Sequence, residues 1–164
     1  MLKMAAFAAS LRQQYGQAEL SILDLGSQDV NGSYKELFTK PGWHYLGLDM
    51  APGKNVDLVL ADPYNWTEIP SASVDIVISG QAFEHIEFIW LTIQEIARVL
   101  KPGGQTCILA PSAGGEHKYP VDCWRIYPDG MRALAKYAGL TVVSAVTDWA
   151  DAGEWKNTML VASK

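Results

Sequence analysis

The sequence predicts a doubly wound α/β fold: a mostly parallel sheet with helices on both faces, closed at one edge by an antiparallel hairpin. Short apolar runs alternate with helix-period stretches up to residue 110, the order that makes parallel strands joined by crossover helices. The run at residues 21–25 ends in Asp24 and Gly26, then passes through polar turn formers into Ser33-Tyr34-Lys35-Glu36, which reads as a capping box. That is strand, loop, helix start. The last two apolar runs, 141–147 and 158–162, are joined by a connection too short for a crossover helix and therefore pair antiparallel.

At 164 residues the chain suits one domain, 1–164, and its apolar fraction of 49% is that of a globular protein with a real core. A formal charge of −5 leaves no basic stripe to neutralise phosphates, which argues against a nucleic acid partner. Cys107 and Cys123 are too few for a disulfide framework and fit a reducing cytoplasm; no CxxC or HExxH spacing points to a metal, so none is expected. No apolar run reaches membrane-spanning length and no signal-peptide pattern opens the chain, so no membrane partner is expected.

In chain order, residues 2–15 place Leu2, Phe7, Leu11 and Tyr15 near one helical face, with Gly16 as the stop. A second helix is expected from Ser33 to Thr39, before Pro41-Gly42. Residues 43–48 read as a strand ending at Asp49, 56–60 as a third strand and 73–79 as a fourth. Between the last two, Pro63 and Pro70 leave room only for a small helix or an irregular loop. Ile89, Ile93, Ile96, Ala97 and Leu100 recur at helical steps, and Lys101-Pro102-Gly103-Gly104 stops that helix before a strand at 105–110. Pro128 and Gly139 bracket a last helix with Met131, Leu134, Ala135 and Ala138 inward.

Two strand ends carry the functional signal. The carboxyl end of a parallel strand feeding a helix offers unpaired N–H groups to a nucleotide-like ligand, and Gly26 lets the backbone approach it. Asp49 follows Asp24 at about the twenty-residue spacing of a ribose-binding carboxylate. The segment 111–127 breaks the rhythm with Glu116, His117, Tyr119, Asp122, Trp124, Arg125 and Tyr127, and loops of this length are usually functional.

Taken together, Ile22-Leu-Asp-Leu-Gly-Ser27, Leu46-Gly-Leu-Asp49, Ala61-Asp62, Val74-Asp-Ile-Val-Ile-Ser79, Phe83-Glu-His-Ile86 and Leu100-Lys-Pro-Gly-Gly104 resemble the hallmark segments of class I S-adenosylmethionine (SAM)-dependent methyltransferases of the small-molecule, type 11-like branch. The resemblance implies a Rossmann-like, seven-stranded sheet of order 3-2-1-4-5-7-6 and SAM as cofactor. It implies that Asp24, Gly26 and Ser27, with Gln28, cup the methionine portion. Asp49 would take the ribose diol, with Met50 against the adenine. Asp62, after Ala61, would accept from the adenine amino group, and the Gly80-Gln81 backbone would contact the methionine end. Ionised carboxylates accept from diols and amines through two oxygens.

The loop after the first strand departs from the family pattern, because Gln28 and Val30 stand where later glycines are usual. Side chains of Gln28 and Asp29 are therefore expected to replace some backbone contacts. Asp62-Pro63-Tyr64 is similar to a base-amino methyltransferase signature, but it follows the third strand rather than the fourth and lacks a second proline. Methyl transfer from a sulfonium is an in-line displacement, in which the protein supplies alignment and sometimes a base. His117 and then His85 are the candidate bases; His117, Tyr119, Trp124 and Arg125 are the candidate lining for a small-molecule acceptor, the aromatics by stacking and Arg125 by pairing with an anion. Without a large insertion the pocket is expected to be open, or completed by a homodimer or partner subunit. Two other readings stay open: a nicotinamide-dependent oxidoreductase, and a non-catalytic interaction protein on the same fold.

Overall fold

The computed structural model describes residues 2–150 and 153–164. One seven-stranded sheet runs through the chain in the order β3-β2-β1-β4-β5-β7-β6. Its strands are β1 (Leu20–Leu25), β2 (Trp43–Asp49), β3 (Leu58–Val59), β4 (Val74–Gly80), β5 (Leu100–Ala113), β6 (Thr141–Thr147) and β7 (Lys156–Ser163). The pairs β1–β2, β1–β4, β2–β3 and β4–β5 are parallel, while β5–β7 and β6–β7 are antiparallel. The expected order and hairpin are both present.

Each face carries its own core. Helix α1 (Leu2–Tyr15) turns Met4, Phe7, Ala8 and Leu11 onto one face, where Ile22, Ile76, Ile78 and Phe38 of the short α2 (Lys35–Phe38) meet them. Helices α3 (Ile89–Val99) and α4 (Pro128–Tyr137) cover the other, with Ile93, Ile96, Met131 and Ala135 against Leu23, Val77 and Ile108. Alternate residues of β1 and β4 thus serve opposite faces, and each large aliphatic enclosed contributes about 1.5–3 kcal/mol.

Four expectations are corrected. Leu2 is 88% exposed, because the buried face of α1 is the i, i+3, i+4, i+7 set starting at Met4. The capping box does not form: α2 has four residues, its N-cap is Tyr34, and the Ser33 hydroxyl instead accepts from the Lys35 N–H. The third strand shrinks to two residues, and the fifth is extended to Ala113 by its pairing with β7. No helix stands between β3 and β4. Trp66, fully buried, fills part of the helix's place, its indole N–H donating to the Pro63 carbonyl and its backbone N–H to Glu95. A shallow cavity of about 390 Å³ stays open there, lined by Leu46, Ile69, Pro70 and Val74 among others.

Candidate functional site

The residues named from sequence gather along the carboxyl edge of β1, β2, β4 and β5. Asp24 ends the central strand and is 2% exposed. Tyr45 donates to its Oδ2 at 2.6 Å, yet burial dominates and pushes its carboxyl up to about 7, with the nearby Asp49 adding to the rise. Gly26 takes φ +76°, and a Cβ there would overlap the side chain of Ala82. The glycine is thus required by the packing of the turn onto the start of the next loop as well as by its backbone conformation.

Asp49 holds the turn from the neighbouring strand. Its Oδ2 accepts from the Gln28 N–H at 3.1 Å and its Oδ1 from the Met50 N–H at 2.7 Å. The remaining lone pairs of this half-buried carboxylate are its capacity for a diol. Met50 beside it is 53% exposed. Asp62 and Ala61 lie exposed past β3, Asp62 accepting from the Tyr64 N–H at 2.8 Å and Ala61 donating to Glu68 at 3.0 Å. Gly80 is where the Tyr34 ring packs, and a Cβ there would overlap it. Gln81 adopts φ +60°, with its side-chain amide donating to Asn157 at 3.0 Å.

Ser27 is 4% exposed, and its hydroxyl donates to the Asn55 carbonyl. Asn55 returns the contact: its amide nitrogen lies within 3.0 Å of the Ser27 carbonyl, the Ser33 hydroxyl and the Tyr45 hydroxyl, which share its two hydrogens. Tyr45 and Asn55 were not anticipated, although an Asn in a glycine-bounded turn, here at φ +69°, is the signal that marks such a position. Asp29 pairs with Lys54 at 2.6 Å and accepts from the Gly32 N–H.

The segment after β5 closes over the same edge. Tyr119 reaches Gln28, its hydroxyl 3.3 Å from Oε1, so the loop spans from β5 to the turn after β1. Arg125 turns inward: two of its N–H groups grip Asp122, at 2.6 and 2.7 Å, and the others donate to the carbonyls of Gly114, Gly115 and Trp124. All five donors are spent on the loop. The guanidinium holds the Asp122 carboxyl well below the usual carboxylate range. Trp124 is tied down as well, its indole N–H donating to the Ile86 carbonyl at 2.8 Å and its ring packing on the α3–α4 core.

His85, His117 and Glu84 meet at the floor of this loop. Glu84, next to His85 in the 3-10 turn Phe83–His85, is fully buried, and neither carboxylate oxygen has a hydrogen-bond partner. Burial pushes its carboxyl up to about 7. Nε2 of His85 and Nε2 of His117 each lie 3.8 Å from Glu84 Oε1. The sequence segment Phe83-Glu-His-Ile86 drew attention to the histidine, whereas the buried acid beside it is the more unusual group.

This sheet order, with a tight acid-glycine turn at the end of the central strand and a carboxylate at the end of its neighbour, defines the class I SAM-dependent methyltransferase fold. The chain belongs to the methyltransferase domain family, whose model matches residues 23–108. An "uncharacterized methyltransferase" of Mycolicibacterium gilvum is 32% identical over 136 residues, covering 72% of this chain and 49% of that protein. The chain spans about half the length of the curated relatives it matches. Among solved structures, the Burkholderia thailandensis 1,6-didemethyltoxoflavin-N1-methyltransferase, with bound 1,6-didemethyltoxoflavin and S-adenosylhomocysteine, superposes with a TM-score of 0.74 at 17% identity, covering 98% of this chain and 77% of that one. A SAM-dependent methyltransferase from Aquifex aeolicus gives 0.67 at 16% identity, covering 95% and 88%. No helix among the described residues is long and apolar enough to cross a membrane.

Proposed function

We propose that the chain binds SAM along the carboxyl edge of β1, β2 and β4 and passes its methyl group to a small-molecule acceptor beneath the loop after β5. The observation that carries this reading is Asp49: a half-buried carboxylate at the end of the strand next to β1, fixed by the backbone N–H groups of Gln28, Met50 and Ala51 and retaining lone pairs for a ribose diol. Asp24, held neutral or ionised by small changes around it, suits the ammonium end of the ligand, and a bound cation would draw out its proton. Gly26, Gln28, Met50, Ala61, Asp62, Gly80 and Gln81 complete the expected contacts.

The transfer needs a water-poor, aligned path rather than many catalytic groups. His117 and His85, with Tyr119, supply the acceptor side of that path. The net charge of −5 supports a small acceptor over a nucleic acid. The crevice is open at the side chains of Met50 and Asp62, which fits completion by a second subunit or partner. The free cysteines Cys107 and Cys123 suit a cytoplasmic setting. Titrating the protein with SAM and S-adenosylhomocysteine by calorimetry tests the reading. Micromolar binding with a raised melting temperature is expected, and no heat at millimolar ligand overturns it.

A further inference from the structure

Glu84, His85 and His117 offer three ligand atoms that all lie within 4.8 Å of one another. Their partners fix which atoms those are. His85 Nδ1 stands 2.6 Å from the Val121 carbonyl, which can only accept, so Nδ1 carries the proton and Nε2 a bare lone pair. His117 Nδ1 stands 3.4 Å from Asp122 Oδ2 and 3.4 Å from Arg125 Nη2. Both hydrogens of that Nη2 already go to Asp122 and Gly115, so the proton lies on His117 Nδ1 and faces the carboxylate. Nε2 of His117 is then bare as well. With Glu84 ionised, two imidazole lone pairs and an unpartnered buried carboxylate thus converge with no donor among them. Such an arrangement is repulsive unless a proton or a metal cation sits inside it, and three convergent ligand atoms suit the metal.

We propose that Glu84, His85 and His117 form a binding site for one first-row divalent transition ion. Two neutral imidazoles and a carboxylate suit zinc, iron(II), cobalt(II) or manganese(II), whereas magnesium and calcium take oxygen ligands. The Val121 carbonyl and the Asp122 carboxylate are the outer partners that orient each ring, as ligating histidines require. Arg125 then acquires a reason for its five internal bonds: it keeps Asp122 aimed at His117. The His117 side chain is 41% exposed and Glu84 lies beneath it, so the ion's open positions face solvent and the underside of Tyr119, where an oxygen ligand can enter. The sequence hid this site because its third ligand follows a whole helix and a whole strand.

Titration of the full chain with cobalt(II), in a Cys123→Ser background that removes the exposed thiol, reads the site through visible d–d absorption without any methyl donor. One equivalent is expected, displaced by zinc. Glu84→Gln and His117→Asn are each expected to lower the affinity roughly 100-fold or more. His44→Asn, on the exposed side of β2, leaves it unchanged. Glu84 is buried, so circular dichroism accompanies its variant, and the partly exposed His117 carries the test if the former fails to fold. Absence of cobalt absorption, or full affinity retained in His117→Asn, overturns the site. SAM binding measured in a chelator is a separate readout, so failure of one reading is distinguishable from failure of the other.

Discussion

The Tyr45 hydroxyl donates to the Asp24 carboxylate at 2.6 Å, so the acid at the end of the central strand meets a neutral phenol in a site that is 2% exposed. One hydrogen bond does not offset the burial of a full charge, and the carboxyl titrates near 7.

The sign of the consequence follows from linkage. Folded Asp24 holds a proton between pH 4 and 7 that the unfolded chain, titrating near 3.8, has released. Its contribution to stability therefore falls as pH rises through that window and is flat above it. Asp24→Asn removes this dependence. The variant without ligand should melt with the parent at pH 4 and above it at pH 8, by an advantage on the order of 2–4 kcal/mol. Its SAM affinity should fall. Urea melts of both proteins across this range check it, and parallel pH profiles would sink the idea.

Asp49 yields the next expectation. Asp49→Ala frees the Gln28 and Met50 N–H groups and removes the acceptor for the ribose. With each lost hydrogen bond costing about 1 kcal/mol, SAM should bind roughly 10- to 100-fold more weakly, while a half-buried position keeps the melting temperature within a few degrees. Calorimetry with S-adenosylhomocysteine measures the first and a thermal melt the second. Unchanged affinity would place the ribose elsewhere.

Arg125→Lys tests the loop. A lysine offers three donors from one point and cannot reproduce a bidentate grip on Asp122 plus three carbonyls. Chymotrypsin should cut after Trp124 at least about tenfold faster, because local opening is held by those bonds. The five bonds join loop residues outside α3 and α4, so far-UV circular dichroism should not move. Equal cleavage rates would mean that the loop is held by Trp124 alone.

The alternation of strands and helices, the closing hairpin and the acids at the ends of β1 and β2 were legible because each depends on apolar period and turn residues close in sequence, whereas the strand order was implied by the family resemblance. What escaped depends on contacts between distant segments. Arg125 reads as an anion ligand until Gly114 and Gly115 turn their carbonyls to it. Ser27 reads as ligand-facing until Asn55, in another loop, takes its hydroxyl. Glu84 carries no reading of its own in the sequence, since nothing in its neighbours announces that it will be buried.

Gly26 makes the sharpest test, because two independent constraints meet on one atom. Its φ of +76° lies in the left-handed region, where a Cβ costs about 1–2 kcal/mol, and the same Cβ would overlap Ala82. Ala82 belongs to the linker between β4 and the 3-10 turn that carries Glu84 and His85, so the overlap pushes the β1 turn away from the β4 edge. Gly26→Ala should thus destabilise the protein by roughly 2–4 kcal/mol and weaken SAM binding beyond what the stability loss explains. Pairing it with Ala82→Gly separates the causes: the double variant removes the overlap and keeps the backbone strain. It should recover more than half of the lost stability, read as urea midpoints in a double-mutant cycle. Additive losses would show that strain at Gly26 acts alone and that the two loops are not in contact.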